Sequence, residues 1–338
     1  MKRLPSFLMS TAVLLAAGCE RAGGPVRLLN VSYDPTREFY HDYNTWFSAQ
    51  WAREQGREIR IQQSHGGSGK QARSVIDGLP ADVVTLALPY DIDGIAEKSG
   101  FVASGWRERL PDAGVPSYST IVFVVRRGNP LGIRDWPDLA KAGVRVITPN
   151  PKTSGGARWN VLAMHGEALR TTGSEEGALK YLEAVFANVP LLDSGARAST
   201  TTFAQRKIGD VLVSWENEAY LVRDKFAADG LEIVTPPSSI KAGPPVAWVD
   251  RVVKRKDTAA AAEAYLRGLW RPEAQDLAAK HHMRPADPAA AARHAAAFPP
   301  VKLWTVEEVY GSWAAAQKRF FADGGIFDGL PVGRAVTR

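Results

Sequence analysis

The stretch Val144-Arg145-Val146-Ile147-Thr148-Pro149-Asn150-Pro151-Lys152-Thr153-Ser154-Gly155-Gly156-Ala157-Arg158 decides the fold. Val144 to Ile147 reads as a strand, a loop of small residues follows, and the chain then opens a helix. The same unit recurs twice. Ile59 to Gln62 leads into Ser64-His65-Gly66-Gly67-Ser68-Gly69-Lys70, with a helix from about Lys70. Val189 to Leu192 leads into Asp193-Ser194-Gly195-Ala196-Arg197-Ala198-Ser199. Glycine lets a backbone approach a ligand closely, and a helix start behind it offers unpaired N–H donors and the positive end of a dipole. One such loop is an ordinary turn. Three of them at the C-terminal ends of strands point to an anion site.

The rest of the chain keeps this alternation. Val26 to Val31, Val83 to Leu88, Ser119 to Val125, Val211 to Ser214, Glu232 to Thr235 and Val246 to Val253 read as strands. Thr36 to Gln55, Glu175 to Asn188, Glu216 to Ala228 and Thr305 to Phe321 read as helices. Apolar strands alternating with helices predict an α/β protein with mostly parallel sheets. Residues 283–300, rich in Ala and Pro, predict a connection that wraps the surface.

At 338 residues the chain has the length of two domains. A 45% hydrophobic and 23% charged composition excludes global disorder and a polytopic membrane protein. The net charge of +6 is spread along the chain, so no nucleic-acid partner is implied. The lone Cys19 excludes an internal disulfide and a cysteine-based metal cluster. It ends the run Met1 to Cys19, in which Lys2 and Arg3 precede a short apolar segment. That pattern predicts a signal peptide over 1–18, and Leu-Ala-Ala-Gly-Cys resembles the lipobox of bacterial lipoproteins. The expected outcome is a lipidated Cys19, a flexible tether over 19–26 and a periplasmic location, membrane-anchored or soluble.

Enzyme motifs fail on inspection. A P-loop would need Gly at Ser64 and Ser or Thr at Gln71. A nucleophile elbow around Ser68 or Ser154 is spoiled by Lys70 or Lys152. The six histidines lack paired metal-ligand spacing, and Glu216 and Glu218 flank Trp215 without marking an acid–base couple. No catalytic residue, metal site or cofactor is expected.

Leu-Leu-Asn-Val-Ser-Tyr-Asp-Pro-Thr-Arg (28–37), Gln63 to Lys70, Asn150 to Arg158, Asp193 to Arg197 and Ser214-Trp215-Glu216-Asn217-Glu218 together resemble the bacterial periplasmic sulfate-binding proteins. These are the solute receptors of sulfate and thiosulfate ABC importers. The resemblance spans roughly residues 28–330. It implies a bilobed periplasmic-binding-protein fold of type II, with two α/β lobes joined by crossover strands and the ligand in the cleft. Lobe one would comprise 27–122 plus 244–338, and lobe two 123–243, with Ser119 to Val125 and Val246 to Val253 as the crossings. The sulfate donors implied are backbone N–H groups at Asp34, Ser68, Gly155, Gly156 and Ala196, the Ser154 hydroxyl and the Trp215 indole N–H. Implied partners are the sulfate ion and the permease subunits of the importer, to a monomeric receptor that meets the membrane only through its lipid. Trp suits this role because its N–H donates and nothing on the ring accepts. Lys70, Lys152, Arg158 and Arg197 are expected to be solvated or to bridge the lobes.

Overall fold

The computed structural model describes residues 24–333. The predicted signal peptide, Cys19 and most of the 19–26 tether lie outside the described residues.

The chain opens with β1 (Val26–Tyr33), α1 (Arg37–Gln55), β2 (Ile59–Gly66), α2 (Ser68–Ile76), β3 (Val83–Thr85) and α3 (Pro89–Ser99). After β4 (Ser117–Tyr118) come β5 (Ile121–Val125), β6 (Val146–Pro149), α4 (Gly155–Thr172), α5 (Glu175–Ala187), β7 (Leu192–Asp193), α6 (Ala196–Thr200), β8 (Val211–Trp215), α7 (Glu216–Lys225) and β9 (Glu232–Val234). The last third holds β10 (Ser238–Ile240), β11 (Val246–Trp248), α8 (Asp250–Lys256), α9 (Ala259–Arg267), α10 (Pro272–Lys280), β12 (Arg284–Pro285), α11 (Pro288–Arg293), β13 (Lys302–Trp304), α12 (Val306–Tyr310) and α13 (Trp313–Ala316).

Two sheets result. The first runs β11-β3-β1-β2, with β1, β2 and β3 parallel and β11 antiparallel to β3. The second runs β7-β6-β8-β5-β9, with β7, β6 and β8 parallel and β5 antiparallel to both β8 and β9. The central strands β5 and β8 are buried along their whole length, which is why β5 reads as an unbroken apolar run and β8 as one interrupted only by Ser214. Helices cover the sheets. Phe39, Tyr43 and Phe47 of α1 pack with Tyr265 and Leu266 of α9, and Leu162 of α4 packs with Leu182 and Phe186 of α5.

The chain passes between the sheets three times. Residues 117–120 form the first crossing and 238–245 the second, joined by a Ser119–Ala242 bridge. Residues 284–304 form a third: β12 pairs with β4, and β13 pairs with β10. The strand expected over Val246 to Val253 ends at Trp248, and Asp250 in the first turn then starts α8. The helix expected from about Lys70 starts at Ser68. The single helix expected over Thr305 to Phe321 is broken at Gly311, whose φ of 76° ends α12, and Ser312 caps α13.

Lobe one as expected from the sequence included everything from 244 to 338. The packing differs: Trp304, Val306, Trp313, Phe320 and Phe327 sit in one core with Phe123, Leu162 and Val213 of the second sheet's layer. The third crossing carries the chain back there, and five large apolar side chains find cover that the first sheet, already closed by α8–α10, does not offer.

Candidate functional site

All three glycine-rich loops meet between the sheets. A methyl group on Gly67 would stand 2.6 Å from the Thr153 carbonyl oxygen and 3.8 Å from that of Ser194. On Gly155 it would stand 2.8 Å from Ser68 Cβ and 3.0 Å from Ala87 Cβ. None of Gly67, Gly155, Gly156 and Gly195 has a positive φ. Glycine is needed here for close approach, and it is the other lobe's loop that comes close. This is a closed cleft.

Each expected donor has a definable place. Asp34 follows β1 and opens a 3-10 turn into α1, tied by Ser32 Oγ to Thr36 Oγ1 (2.8 Å) and by Thr36 Oγ1 donating to Tyr33 O (2.8 Å). Ser68 is the first residue of α2 and fully buried. Its hydroxyl donates to Asp91 Oδ2 (2.5 Å) and accepts from Ala87 N–H (2.9 Å), so only its backbone N–H is left to serve a ligand. Ser154 stands at the N-cap of α4 without making a capping hydrogen bond, so its hydroxyl is uncommitted. Gly155 and Gly156 are the first two residues of that helix, and Ala196 is the first of α6. Their N–H groups have no intrahelical partner. Trp215 ends β8, is 3% exposed, and points its indole N–H at the Gly156 carbonyl from 3.3 Å, a long contact that a better acceptor would displace. Its ring packs on Tyr33 (5.2 Å between centroids) and Trp159 (6.1 Å).

The cations near the loops are engaged elsewhere. Arg158 pairs with Asp91 at 3.1 Å and donates to the Pro151 carbonyl. Arg197 pairs with Glu38 at 2.7 Å and lies 3.2 Å from Glu218. Two of these pairs, Arg158–Asp91 and Arg197–Glu38, cross the cleft, from α4 to α3 and from α6 to α1. Lys152 clamps the carbonyls of Phe321 and Ala322 and the carboxylate of Asp328, and Lys70 is exposed. Neutral groups tighten the same seam: Trp159 Nε1 donates to Ala87 O and Asn217 Nδ2 to Pro35 O, both at 2.9 Å. His65 sits on Gln63 Oε1 (2.6 Å), and burial pushes its pKa down to about 4, so it carries no charge near neutrality.

A small cavity remains, walled by Gly156, Ala196 and Trp215 and also by Asn160, Ser199 and Glu218. In its wall Asn160 Oδ1, Ser199 Oγ and Glu218 Oε2 lack partners, and so does Tyr33 Oη, whose ring packs on Trp215. Unpaired buried polar atoms are costly, and such a group gathered at one cavity marks a place prepared for a polar guest. Burial raises the pKa of Glu218, with Arg197 opposing the rise. Asn160, Ser199, Glu218 and the Asp91–Arg158 and Glu38–Arg197 pairs were not singled out as site residues from the sequence. The one available signal was Pro89 two residues before Asp91, a helix start with an acid in its first turn. Among the described residues no group of three or more His, Cys, Asp or Glu side chains gathers as a metal cage would, and no helix is long and apolar enough to cross a membrane.

Residues 44–284 match the family described as Bacterial extracellular solute-binding protein. A sulfate-binding protein of Salmonella typhimurium is 56% identical over 316 residues, covering 93% of this chain and 96% of the relative. A thiosulfate-binding protein of Pseudomonas aeruginosa is 49% identical over 328 residues, covering 97% and 98%. Among solved structures, the sulfate-binding protein SubI of Mycobacterium tuberculosis superposes with a TM-score of 0.78 at 35% identity, over 88% of this chain and 99% of that one. With this fold, this cleft and these relatives, the chain belongs to the bacterial extracellular solute-binding proteins, among those related to the sulfate- and thiosulfate-binding proteins.

Proposed function

We infer that the chain captures sulfate, and thiosulfate as a close analogue, outside the cytoplasm and delivers it to the permease subunits of an ABC importer. The observation that carries this reading is a cavity walled by two helix starts, at Gly156 and Ala196, and by Trp215, with the start of α2 at Ser68 packed against Gly155 beside it and the neighbouring arginines already paired with carboxylates. An anion held there meets N–H donors and a hydroxyl from Asp34, Ser68, Ser154, Gly155, Gly156, Ala196 and Trp215, with no arginine reserved for it. The names of the relatives supply the choice of sulfate and thiosulfate. In this reading the first sheet's lobe and the second sheet's lobe, the latter including 304–332, close over the ligand as a monomer. Binding needs no metal or cofactor and leads to no turnover. Lipidation at Cys19 would hold the receptor at the membrane, and a Cys19→Ala protein would then leave the membrane fraction with its affinity intact.

A second reading, a protonated oxyanion such as hydrogen phosphate, draws on one observation: Glu218 Oε2 is a free acceptor in the cavity wall. Titration calorimetry with sulfate, thiosulfate, phosphate and molybdate separates the two. Facing N–H donors, a phosphate proton is left unpaired, at a cost of about 1–3 kcal/mol. Phosphate should then bind at least about tenfold more weakly than sulfate at pH 6.5. The gap should narrow without closing as rising pH takes phosphate from two protons to one, because the last proton stays on. Equal affinity at pH 6.5 would give the second reading the lead. Turnover of a chromogenic sulfate or phosphate ester would replace both with a hydrolase.

A further inference from the structure

The tripeptide Trp215-Glu216-Asn217 touches two of the three crossings directly and is linked to the remaining one through Thr120. Glu216 N–H donates to Thr120 O at 2.8 Å, on the first crossing. Asn217 Oδ1 accepts from Ser119 Oγ at 3.1 Å on the same crossing, while Asn217 Nδ2 reaches Pro35 O beside Asp34. Thr120 Oγ1 passes the link on to Ile240 O, 3.0 Å away on the second crossing. The Glu216 carboxylate is 0% exposed and is gripped by Arg284 of the third crossing, Nε to Oε2 at 2.7 Å and Nη2 to Oε1 at 2.8 Å. The same guanidinium donates to Pro299 O at 2.9 Å and lies 5.0 Å from the centroid of the Phe298 ring.

A buried carboxylate one residue from an indole meant for an anion is unfavourable unless neutralised on the spot. Arg284 does this, and it does so with a planar two-bond fork that fixes direction as well as charge. Its segment ends at Trp304, which is anchored in the second core. The third crossing is thus a strap, tied at one end to that core and at the other to the residue after Trp215. Resting on the sulfate reading above, we propose that Arg284 is a positioning residue: through Glu216 it sets the aim of the Trp215 N–H together with the angle between the lobes, so that hinge and donor move as one unit.

The test compares wild type with Arg284→Lys, which keeps the charge and loses the fork, and with Glu216→Gln. Sulfate affinity and dissociation rate are measured by calorimetry and stopped flow. The interlobe distance is read by electron–electron resonance between spin labels at Glu97→Cys and Lys180→Cys, both exposed, in a Cys19→Ala background. In Arg284→Lys, sulfate should bind about tenfold more weakly, mostly through faster dissociation. The distance distribution should broaden both without and with sulfate. The emission difference between Arg284→Lys and its Trp215→Phe counterpart should move relative to the same difference in wild type. Failure of wild type to bind sulfate would remove the functional reading itself. Wild-type binding with an unchanged affinity or interlobe distance in Arg284→Lys would overturn the role of Arg284, even if the variant melted earlier. Should Arg284→Lys fail to fold, Glu216→Gln takes its place: weaker binding with a broadened distance supports the proposal, and wild-type values of either overturn it.

Discussion

The two walls of the cleft are unequal. The wall built on the second sheet carries Ser154, Gly155, Gly156, Ala196 and Trp215, and with them Arg158 and Arg197. The wall built on the first sheet carries Asp34 and Ser68, and with them Asp91 and Glu38. The difference implies a sequence of events. In an open cleft the second wall is rich in donors and has arginines without their cross-cleft partners, so it is the wall that an anion meets first. Closure then brings Asp91 and Glu38 across, and the arginines receive carboxylates at the moment the anion is enclosed. In this reading the anion itself is left to neutral donors. In the proposed reading five of the seven donors would bind first, and the opposite wall would complete the shell and lock it.

Breaking the lock is the strongest test of this asymmetry. Asp91→Asn leaves the Arg158 side chain, 10% exposed when closed, without its counter-charge, whereas an open cleft would hydrate it. Losing one partner of a buried pair costs about 3–5 kcal/mol, so sulfate affinity measured by calorimetry should fall at least about a hundredfold. The ligand-free melting temperature should change far less if Asp91 acts across the cleft, and an equal loss in both would mean that the pair serves only the fold.

Trp215→Phe probes the donor-rich wall. It keeps most of the ring packing and removes one N–H from an ionised guest, a loss of about 1.5–3 kcal/mol. An unchanged sulfate titration in the folded variant would make Trp215 a packing residue. Gly155→Ala probes the contact between the walls, because its methyl group lands 2.8 Å from Ser68 Cβ. Overpacking of this kind costs about 1–3 kcal/mol, charged here to the closed form alone. Small-angle scattering with sulfate should show incomplete compaction, and full compaction would mean that the seam yields. The smallest effect belongs to Glu38→Gln. Glu38 and Arg197 are 36% and 27% exposed, water screens them, and Arg197 keeps Glu218 nearby. An exposed pair contributes about 0–1 kcal/mol, so affinity should drop no more than about fivefold, and a larger fall would make the two cross-cleft pairs equals.

Much of this was legible before any coordinates. The alternation of strands and helices pointed to the fold class, because buried parallel strands must be apolar throughout and helices must be amphipathic. The glycine loops pointed to the cleft because three of them recur at the C-terminal ends of strands, where a single one would be an ordinary turn. Element ends were harder to read. The end of the strand at Trp248 and the break at Gly311 depend on caps that compete with similar signals in the flanking residues. Boundaries of this kind are weakly encoded.

What the sequence by itself determined is the kind of protein: the order of its elements, its three loops of small residues, and the recognisable segments in which the proposed donors Ser154, Gly155, Gly156 and Trp215 lie. What only the tertiary structure decided is who meets whom. Asp91 and Arg158 are 67 residues apart, Glu38 and Arg197 are 159 apart, and Glu216 and Arg284 are 68 apart. No local pattern marks such partners, because an ion pair requires only that two side chains arrive together, and that depends on how the lobes close. The same holds for the segment from Trp304 onward. Its apolar residues state that it must be buried, and the path of the third crossing decided that it is buried against the second sheet. Hydrophobic burial carries no address, so composition compels a segment to find cover while chain geometry selects which cover it finds.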